Sequence, residues 1–288
     1  MHEFIIPDWP APANVRALVT TRAGGISQAP WDSFNLADHV GDDPAAVAAN
    51  RRLLRAHLPA EPAWLRQVHG TQCIDAERPG KNTEADASFT RAPGVVCAVL
   101  TADCLPLLLC DERGSVVAAA HAGWRGLADG VIEATVAALG VPGERLMAWL
   151  GPAIGPMNFE VGSEVRDAFL AHDAAAATAF MPGAAGKWLC NIYLLARQRL
   201  ARLGVRRITS ADKNSPPRSQ PRLAAPHLQR GQSADVGLGR PGADFCTVRD
   251  AERFYSYRRD GVTGRQACLI WIDSRHAALQ NRVVQSTI

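Results

Sequence analysis

Three residues with metal-binding or nucleophilic side chains lie near the ends of apolar stretches: His69, Cys104 and His121. Side chains at the ends of strands in one sheet can converge in space, so we expect these three to meet. Two imidazoles and a thiolate suit zinc, and three protein ligands leave a fourth position for water or substrate. The same residues could instead form a thiol hydrolase, with Cys104 as the nucleophile and a histidine as its base.

Each of the three residues also has a purely structural interpretation. Cys104 could be an inert buried thiol, and His69 and His121 could be hydrogen-bonded histidines at strand ends. Copper chemistry of the multinuclear kind needs many more imidazoles, and the chain has 8 histidines, most of them isolated. This count argues against a multicopper oxidase.

The elements around Cys104 and His121 are short apolar runs at residues 95–100, 105–110 and 116–120. Short apolar runs bounded by turn residues are typical of strands buried on both faces. Residues 127–139 have apolar positions at helical spacing, and Gly140 ends the run. The segment between His121 and this helix is therefore a strand-to-helix junction, whose amides would face any anion held nearby.

The rest of the chain alternates between strand and helix patterns, which predicts one α/β domain with a mixed sheet and flanking helices. Residues 33–43 are polar and rich in turn-forming residues, and they contain Asn35 and His39. Strands are predicted at residues 15–20, 64–70, 71–76, 146–150 and 266–272, and helices at 45–58, 163–171 and 192–203.

Composition is that of a globular protein with a large core. Of the 288 residues, 47% are apolar and 20% are charged, and the net charge of +3 is too small to indicate nucleic-acid binding. The 7 cysteines are an odd number without close pairing, which favours reduced thiols in the cytosol. The first 20 residues lack the pattern of a signal peptide, and no stretch has the length of a membrane span. We therefore expect a cytoplasmic protein that does not bind membranes.

Two segments do not fit the domain, which we place at residues 1–273. Residues 212–243 are rich in Pro, Gly, Ser, Gln and Arg and lack apolar periodicity, so we predict a disordered insertion there. Residues 274–288 form a polar C-terminal tail.

Seven motifs in order together resemble the YfiH/laccase-domain family, over most of residues 13–272. They are TTRAGGIS (20–27), FNLADHVGDDPAAVAANR (34–51), VHGT (68–71), TADCLPLLLCD (101–111), HAGWRGL (121–127), GPAIGP (151–156) and FYSYRRDGVTGR (254–265). The resemblance implies a single α/β domain with a layered sheet core. It also implies a zinc site, with the family's His, Cys and His falling on His69, Cys104 and His121.

The resemblance implies an enzyme that is a purine nucleoside phosphorylase acting on adenosine, inosine and methylthioadenosine, with adenosine deaminase activity as well. Older descriptions of the family call its members polyphenol oxidases, and some members are linked to editing of peptidoglycan precursors. The chain departs from the family pattern at the insertion, where the family has a short Gly-rich connection. Three alternatives stay open: a metal-free amidase that uses Cys104 on peptide-like substrates, a copper-dependent phenol oxidase, and a partner protein without enzymatic activity.

Phosphorolysis requires cations that hold phosphate and a donor for the leaving base. As substrate-binding candidates we take three arginines, Arg22, Arg125 and Arg258, together with Asn35. Asp103 could orient a ligand histidine by hydrogen bonding to it, or could cap a turn. The expected partners are a small nucleoside and phosphate, and the expected assembly is a monomer or weak homodimer.

Overall fold

The structure, a computed structural model, describes residues 4–78, 80, 83–210 and 245–274. The predicted insertion at 212–243 lies outside the described residues, and so does the C-terminal tail apart from Ser274. Within the described part of the chain, no helix is both long and apolar enough to cross a membrane.

The strands, numbered in chain order, are β1 (Val15–Val19), β2 (Pro62–Ala63), β3 (Cys73–Asp75), β4 (Ala87–Thr90), β5 (Val96–Thr101), β6 (Leu105–Asp111), β7 (Val117–Ala122), β8 (Leu146–Leu150), β9 (Glu160–Val161), β10 (Phe180–Pro182), β11 (Trp188–Cys190), β12 (Arg207–Ser210) and β13 (Gln266–Ile272). The α-helices are α1 (Pro44–Arg55), α2 (Trp124–Asp129), α3 (Val131–Leu139), α4 (Ser163–His172), α5 (Ile192–Arg202) and α6 (Tyr257–Asp260). Short 3₁₀ turns cover Gly143–Arg145 and Ala174–Ala179.

The strands form two large sheets and one small one. The six-stranded sheet has the order β12-β8-β6-β7-β4-β3, and its outer pairs β12–β8 and β3–β4 are parallel while the inner pairs are antiparallel. The four-stranded sheet has the order β1-β13-β5-β2, and the three-stranded sheet has the order β10-β11-β9. The fold is thus α/β with mixed sheets, as predicted.

The two large sheets pack face to face. Strand β5 lies between two packed layers, so both of its faces are apolar. Cys97 and Val99 point into the core between the sheets. Val96, Ala98 and Leu100 alternate with them and pack in the cluster that contains residues of α1. Because successive side chains of a strand point to opposite faces, a continuous apolar run is what a strand between two packed layers requires.

The six-stranded sheet follows the same rule on its outer face. In β6, Leu107 and Leu109 pack with Leu127 of α2 and Ile132 of α3, whereas Leu108 faces the four-stranded sheet. The four β6 leucines have no exposed surface, and burial of each stabilises the fold by about 1.5–3 kcal/mol relative to exposure. The architecture is therefore four layers, with helix, sheet, sheet and helices in that order.

The structure differs from two of the predicted elements. Residues 64–70, predicted as a strand, form an irregular segment, because the backbone N–H groups of residues 68–70 bond to one carboxylate rather than to a neighbouring strand. The predicted helix over 127–139 is two helices that meet at Gly130, whose φ of 105° is incompatible with a continuous helix.

Candidate metal centre

Strand pairing brings three polar residues to one end of the six-stranded sheet. Asp86 directly precedes β4, Cys104 directly precedes β6, and His121 lies near the end of β7. β7 pairs antiparallel with both neighbours, so that Pro106 faces His121 and Ala87 faces Ala120. The starts of β4 and β6 therefore lie beside the end of β7.

The irregular segment before β3 carries His69 to the same place. The Asp86 carboxylate accepts hydrogen bonds from the backbone N–H groups of Val68 (3.1 Å), His69 (2.9 Å) and Gly70 (2.7 Å). The side chain of Gln67 bonds both ways with the backbone of Leu100, at 2.8 and 2.7 Å. Apart from one β-bridge between Arg66 and Glu84, the segment is thus fixed by side chains.

The three predicted ligands, His69, Cys104 and His121, come together. Their ligand atoms all lie within 4.8 Å of one another. Nε2 of His69 lies 3.8 Å from Sγ of Cys104. The two imidazole rings are 4.8 Å apart between centroids and nearly perpendicular, at 76°. Three donors at these separations can reach one small ion.

Two residues of the site adopt backbone conformations that side chains other than glycine rarely take. His69 has φ of 61° and Asp103 has φ of 90°. Such conformations cost about 1–3 kcal/mol each and persist where the surroundings hold them in place, commonly at functional sites. Here the Asp86 carboxylate holds His69, and the Asp103 carbonyl accepts a bond from the N–H of Ile154 at 2.9 Å.

Two glycines after His121 allow the ligands to approach each other. A Cβ added at Gly123 would lie 2.7 Å from Cδ2 of His69 and 3.0 Å from Sγ of Cys104. A Cβ added at Gly126 would lie 2.7 Å from the carbonyl oxygen of Gly70. The HAGWRG motif therefore requires glycine at both positions because the site lies directly against this backbone.

A buried carboxylate orients one of the histidines. Nδ1 of His121 lies 2.8 Å from Oδ1 of Asp86, and both side chains are buried. With Nδ1 donating to Asp86, Nε2 remains the ring nitrogen that can bind an ion, an arrangement typical of metal-bound histidine.

The structure places Asp103 differently from the prediction that it orients a histidine. Its carboxylate accepts a 2.6 Å bond from Oγ1 of Thr247 and a 2.6 Å bond from the backbone N–H of Arg258. Asp103 therefore joins the Cys104 turn to the start of α6, and Asp86 provides the bond to histidine. The sequence offered Asp103 either as the partner of a histidine or as the cap of a turn, whereas the β4–β7 pairing places Asp86 beside His121.

The charges of the trio support one another. Burial opposes ionisation of the Cys104 thiol, but His121 and His69 outweigh it and lower its pKa to about 6. Burial likewise opposes protonation of His121, but Cys104 and Asp86 raise its pKa to about 9. A thiolate is therefore the stable form of Cys104, and a thiolate is the form that binds metal.

The trio lies in the wall of a cavity of about 420 Å³. Two of the predicted substrate-binding residues, Arg125 and Arg258, also line this cavity. Its other lining residues are His39, Gln67, Leu100, Thr101, Ala102, Asp103, Trp124, Ile154, Phe159, Ile192, Tyr257 and Arg265.

The other two predicted substrate-binding residues, Arg22 and Asn35, do not line the cavity. Arg22 bonds the carboxylate of Asp32 (3.2 Å) and lies over the Tyr255 ring at 5.1 Å. Asn35 is fully buried, and its side chain bonds Asp42 at 2.8 Å and the backbone N–H of Arg265 at 2.9 Å. Both residues hold loops together around the site instead of facing it.

Sequence reasoning missed Asp86 and Arg265. Arg265 is half-buried, and its Nη1 donates to the carbonyl oxygens of Thr263 and Gly264, both at 2.9 Å. Burial lowers the pKa of its guanidinium, and the nearby Cys104 and Asp103 partly offset this effect. Arg265 is the last residue of the FYSYRRDGVTGR motif, which also contains Arg258. The motif therefore indicated an arginine at the site, but it did not show that Arg265 as well as Arg258 lines the cavity.

The donor set restricts which metal chemistry fits. One thiolate and two imidazoles make a mixed S and N site for a single ion. Among the described residues, no second group of three or more His, Cys, Asp and Glu side chains has the geometry to hold a metal. The described part of the chain thus provides one candidate mononuclear site.

Known proteins are similar to this chain in sequence and in fold. The chain is 52% identical over 273 residues to a purine nucleoside phosphorylase of Pseudomonas aeruginosa, with 94% of this chain and 99% of the relative covered. It is 46% identical over 275 residues to the purine nucleoside phosphorylase YfiH of Escherichia coli, with 94% and 100% covered. A crystal structure of a Neisseria meningitidis protein superposes with a TM-score of 0.79 at 46% identity, with 94% and 99% covered.

A family model also matches most of the chain. Residues 16–273 match the family described as "Multi-copper polyphenol oxidoreductase laccase". This range contains all seven motifs quoted above, so the resemblance drawn from those motifs is confirmed. The chain therefore belongs to this YfiH/laccase-like family.

Proposed function

We propose that this chain is a purine nucleoside phosphorylase whose activity depends on one zinc ion held by His69, Cys104 and His121. The observation that carries the proposal is the position of this trio in the wall of a 420 Å³ cavity that also contains guanidinium groups and aromatic rings. Relatives that are 44–52% identical bear the name purine nucleoside phosphorylase, which supports the same assignment.

The donor chemistry favours zinc over copper. Zinc is commonly held by thiolate and imidazole, and a catalytic zinc site keeps a position open for water or substrate. Multinuclear copper oxidases need many more imidazoles than the two in this cluster. A zinc ion held here would supply Lewis acidity and a net charge of about +1, which attracts anions.

Three arginines in the cavity wall are the candidates for holding phosphate. Arg258 donates from Nη1 to the carbonyl oxygen of Glu160 at 2.9 Å, and Arg265 is fixed by its two carbonyl contacts. Arg125 is exposed and lies over the Trp124 ring at 4.6 Å. Guanidinium groups bind phosphate oxygens in pairs, so fixed arginines hold the anion in one orientation.

Apolar and aromatic side chains give the cavity a place for a purine. Trp124, Phe159 and Tyr257 present rings, and Ile154 and Ile192 present aliphatic surface. A flat heteroaromatic base can bury apolar surface against such walls and stack on their rings. A cavity that combines arginines with rings thus matches a substrate pair of phosphate and purine nucleoside.

The reaction requires the two substrates to be held side by side. A phosphate oxygen attacks the anomeric carbon C1′ of the sugar, and the bond from C1′ to the purine nitrogen breaks. The arginines place the nucleophile, the rings hold the base, and closeness within one cavity removes the entropy cost of the encounter. The products are sugar 1-phosphate and free purine.

Adenosine deamination and cleavage of methylthioadenosine belong to the same proposal. A metal site that opens into the cavity supports deamination, which needs water at the purine ring but no phosphate. The apolar lining supports a substrate with a methylthio group at the 5′ position.

A thiol hydrolase is the second candidate, and one observation favours it: the histidines lower the pKa of Cys104 to about 6, as in thiol enzymes. A chelator separates the two functions, because a metal-free thiol enzyme keeps its activity and is stopped by alkylation. Location in the cytosol and the state of a monomer or weak homodimer remain predictions from the sequence.

The test is an assay of purified protein with inosine or adenosine over a phosphate titration, with sugar 1-phosphate measured as the product. We expect release of free purine that requires phosphate, stops after chelation and returns with zinc. Purine release that is independent of phosphate, or a preparation active only with copper, oxygen and a phenol, would contradict the proposal.

A further inference from the structure

We propose that His39 is the general acid that protonates the purine as it leaves. This inference rests on the proposed phosphorylase function. The observation behind it is that His39 lines the cavity of the metal centre, although it lies in the loop before α1 rather than at the sheet end. Nothing in the mechanism described so far uses this imidazole.

Phosphorolysis leaves a negative charge on the base that must be neutralised. When the bond from C1′ to N9 breaks, its electron pair moves to the purine, and protonation of a ring nitrogen makes the base a better leaving group. A positioned side chain that gives this proton contributes about 100- to 10,000-fold to such steps, and histidine is the side chain used most often.

The other histidines and the carboxylate in the cavity wall are already engaged. His69 and His121 belong to the metal trio, and His121 also bonds Asp86. The two carboxylate oxygens of Asp103 accept bonds from Thr247 and from the backbone of Arg258. Among the described residues that line the cavity, His39 is the one imidazole outside the metal trio.

A carboxylate lies beside one nitrogen of the exposed His39 ring. Nδ1 of His39 lies 3.5 Å from Oδ1 of Asp38. Oδ2 of Asp38 lies 3.3 Å from Nη2 of Arg51, on α1. Arg51 in turn donates from Nε to the carbonyl oxygen of Leu36 at 2.9 Å and lies over the Trp64 ring at 4.6 Å. The carboxylate thus faces one ring nitrogen and leaves Nε2 for the substrate.

The proposed step balances in atoms and charge. An oxygen of hydrogen phosphate bonds to C1′, the bond from C1′ to N9 breaks, and the proton on Nε2 of His39 moves to N7 of the purine. The sugar phosphate loses its remaining proton to solvent, and the imidazole regains one from solvent. No oxidant or reductant takes part.

A substrate that leaves without protonation tests this role directly. 7-Methylguanosine already carries a positive charge on the ring that accepts the electron pair, so its base departs as a neutral molecule. We expect His39→Gln to lower kcat on inosine about 100-fold and to change kcat on 7-methylguanosine by less than about threefold. His172→Gln, an exposed histidine at the end of α4, is the matched control and should change neither rate.

The outcomes separate this inference from the proposed function. Equal losses on both substrates would show that His39 binds or supports the site, and an unchanged inosine rate would show that it has no role. Either result overturns the inference while leaving phosphorolysis intact. If wild-type protein cleaves neither nucleoside with phosphate, the proposed function fails and the inference fails with it.

Discussion

Oδ1 of Asp86 lies 2.8 Å from Nδ1 of His121, and the same carboxylate accepts the N–H groups of residues 68–70. One side chain therefore orients two of the three predicted ligands. Burial acts to raise the pKa of Asp86, but His121 and the N–H groups of Gly70 and Val68 together outweigh it and lower that pKa. Asp86 remains a carboxylate in the folded protein.

The first prediction concerns this carboxylate. Asp86→Asn removes the carboxylate that accepts from Nδ1 of His121 and so leaves Nε2 facing the ion, and it replaces one acceptor oxygen by an amide donor. We expect zinc affinity to fall about 10- to 100-fold, as measured by competition with a chelating dye.

Asp111→Asn is the matched control. Asp111 is also buried, and its carboxylate accepts bonds from Ser115 and Val116 at a distant turn. The Asp111→Asn variant should lose free energy of unfolding, on the order of 1–3 kcal/mol, because buried groups are left unpaired. Its zinc affinity should not change. Equal zinc affinity in both variants would show that Asp86 does not support metal binding.

The second prediction concerns the closeness of the backbone to the ligands. Gly123→Ala places a methyl group 2.7 Å from Cδ2 of His69, so the ring must move. A displacement of about 1 Å in a catalytic constellation can cost about 100-fold in rate, and we expect a loss of this size in phosphorolysis.

Gly70→Ala provides the comparison within the same site. A Cβ there would meet its nearest atoms at 3.6 Å, which is ordinary contact. This variant should keep most of its activity and zinc. Similar activity in the two alanine variants would show that the spacing at Gly123 does not matter.

Much of this architecture follows from the sequence because its strands are continuous apolar runs. The run at 95–100 corresponds to β5, and the predicted strands at 146–150 and 266–272 match β8 and β13 in full. Cys104 and His121 could be named because strand ends at the same edge of a sheet converge, whereas His69 was named from a strand that the structure does not contain. The structure adds the distances, which no spacing in the sequence contains.

The residues that sequence reasoning missed depend on long-range pairing. Asp86 is 35 residues from His121, and the bond between them exists because β4 pairs with β7. Thr247 is 144 residues from Asp103, which it bonds. The residues next to an aspartate in the sequence do not indicate which distant residue it will bond. Neither contact could therefore be predicted from the local sequence pattern.

The third prediction uses the cysteines. Burial raises the pKa of Cys97 and of Cys190 to about 12, so both thiols should be unreactive in the folded protein. Cys104 is half-buried at the cavity and should react with iodoacetamide once the metal has been removed. Mass spectrometry should find Cys104 labelled after chelation and protected by added zinc. Labelling at an equal rate with and without zinc would contradict metal binding by this thiol.

The fourth prediction separates the phosphate-dependent reaction from deamination. Arg125→Ala should weaken phosphate-dependent release of adenine more than formation of inosine from adenosine. Loss of one charge-assisted contact costs about 1.5–3 kcal/mol, or roughly ten- to a hundredfold in apparent phosphate affinity. Both products are measured on one preparation across a phosphate titration.

Arg113→Ala, at an exposed position outside the cavity, is the control for the loss of one positive charge. It should leave both products unchanged. An unaltered phosphate affinity in Arg125→Ala, or equal loss of both products at saturating phosphate, would show that Arg125 does not bind phosphate.

The central claim is that His69, Cys104 and His121 hold the single ion on which activity depends. The most direct measurement is metal analysis of protein purified without added metal, comparing wild type with Cys104→Ala and with Cys73→Ala, a half-buried cysteine outside the trio. We expect close to one zinc per chain in wild type and Cys73→Ala, and almost none in Cys104→Ala, together with loss of phosphorolysis in that variant alone. A full zinc complement in Cys104→Ala, or several copper ions per chain in wild type, would contradict the central claim.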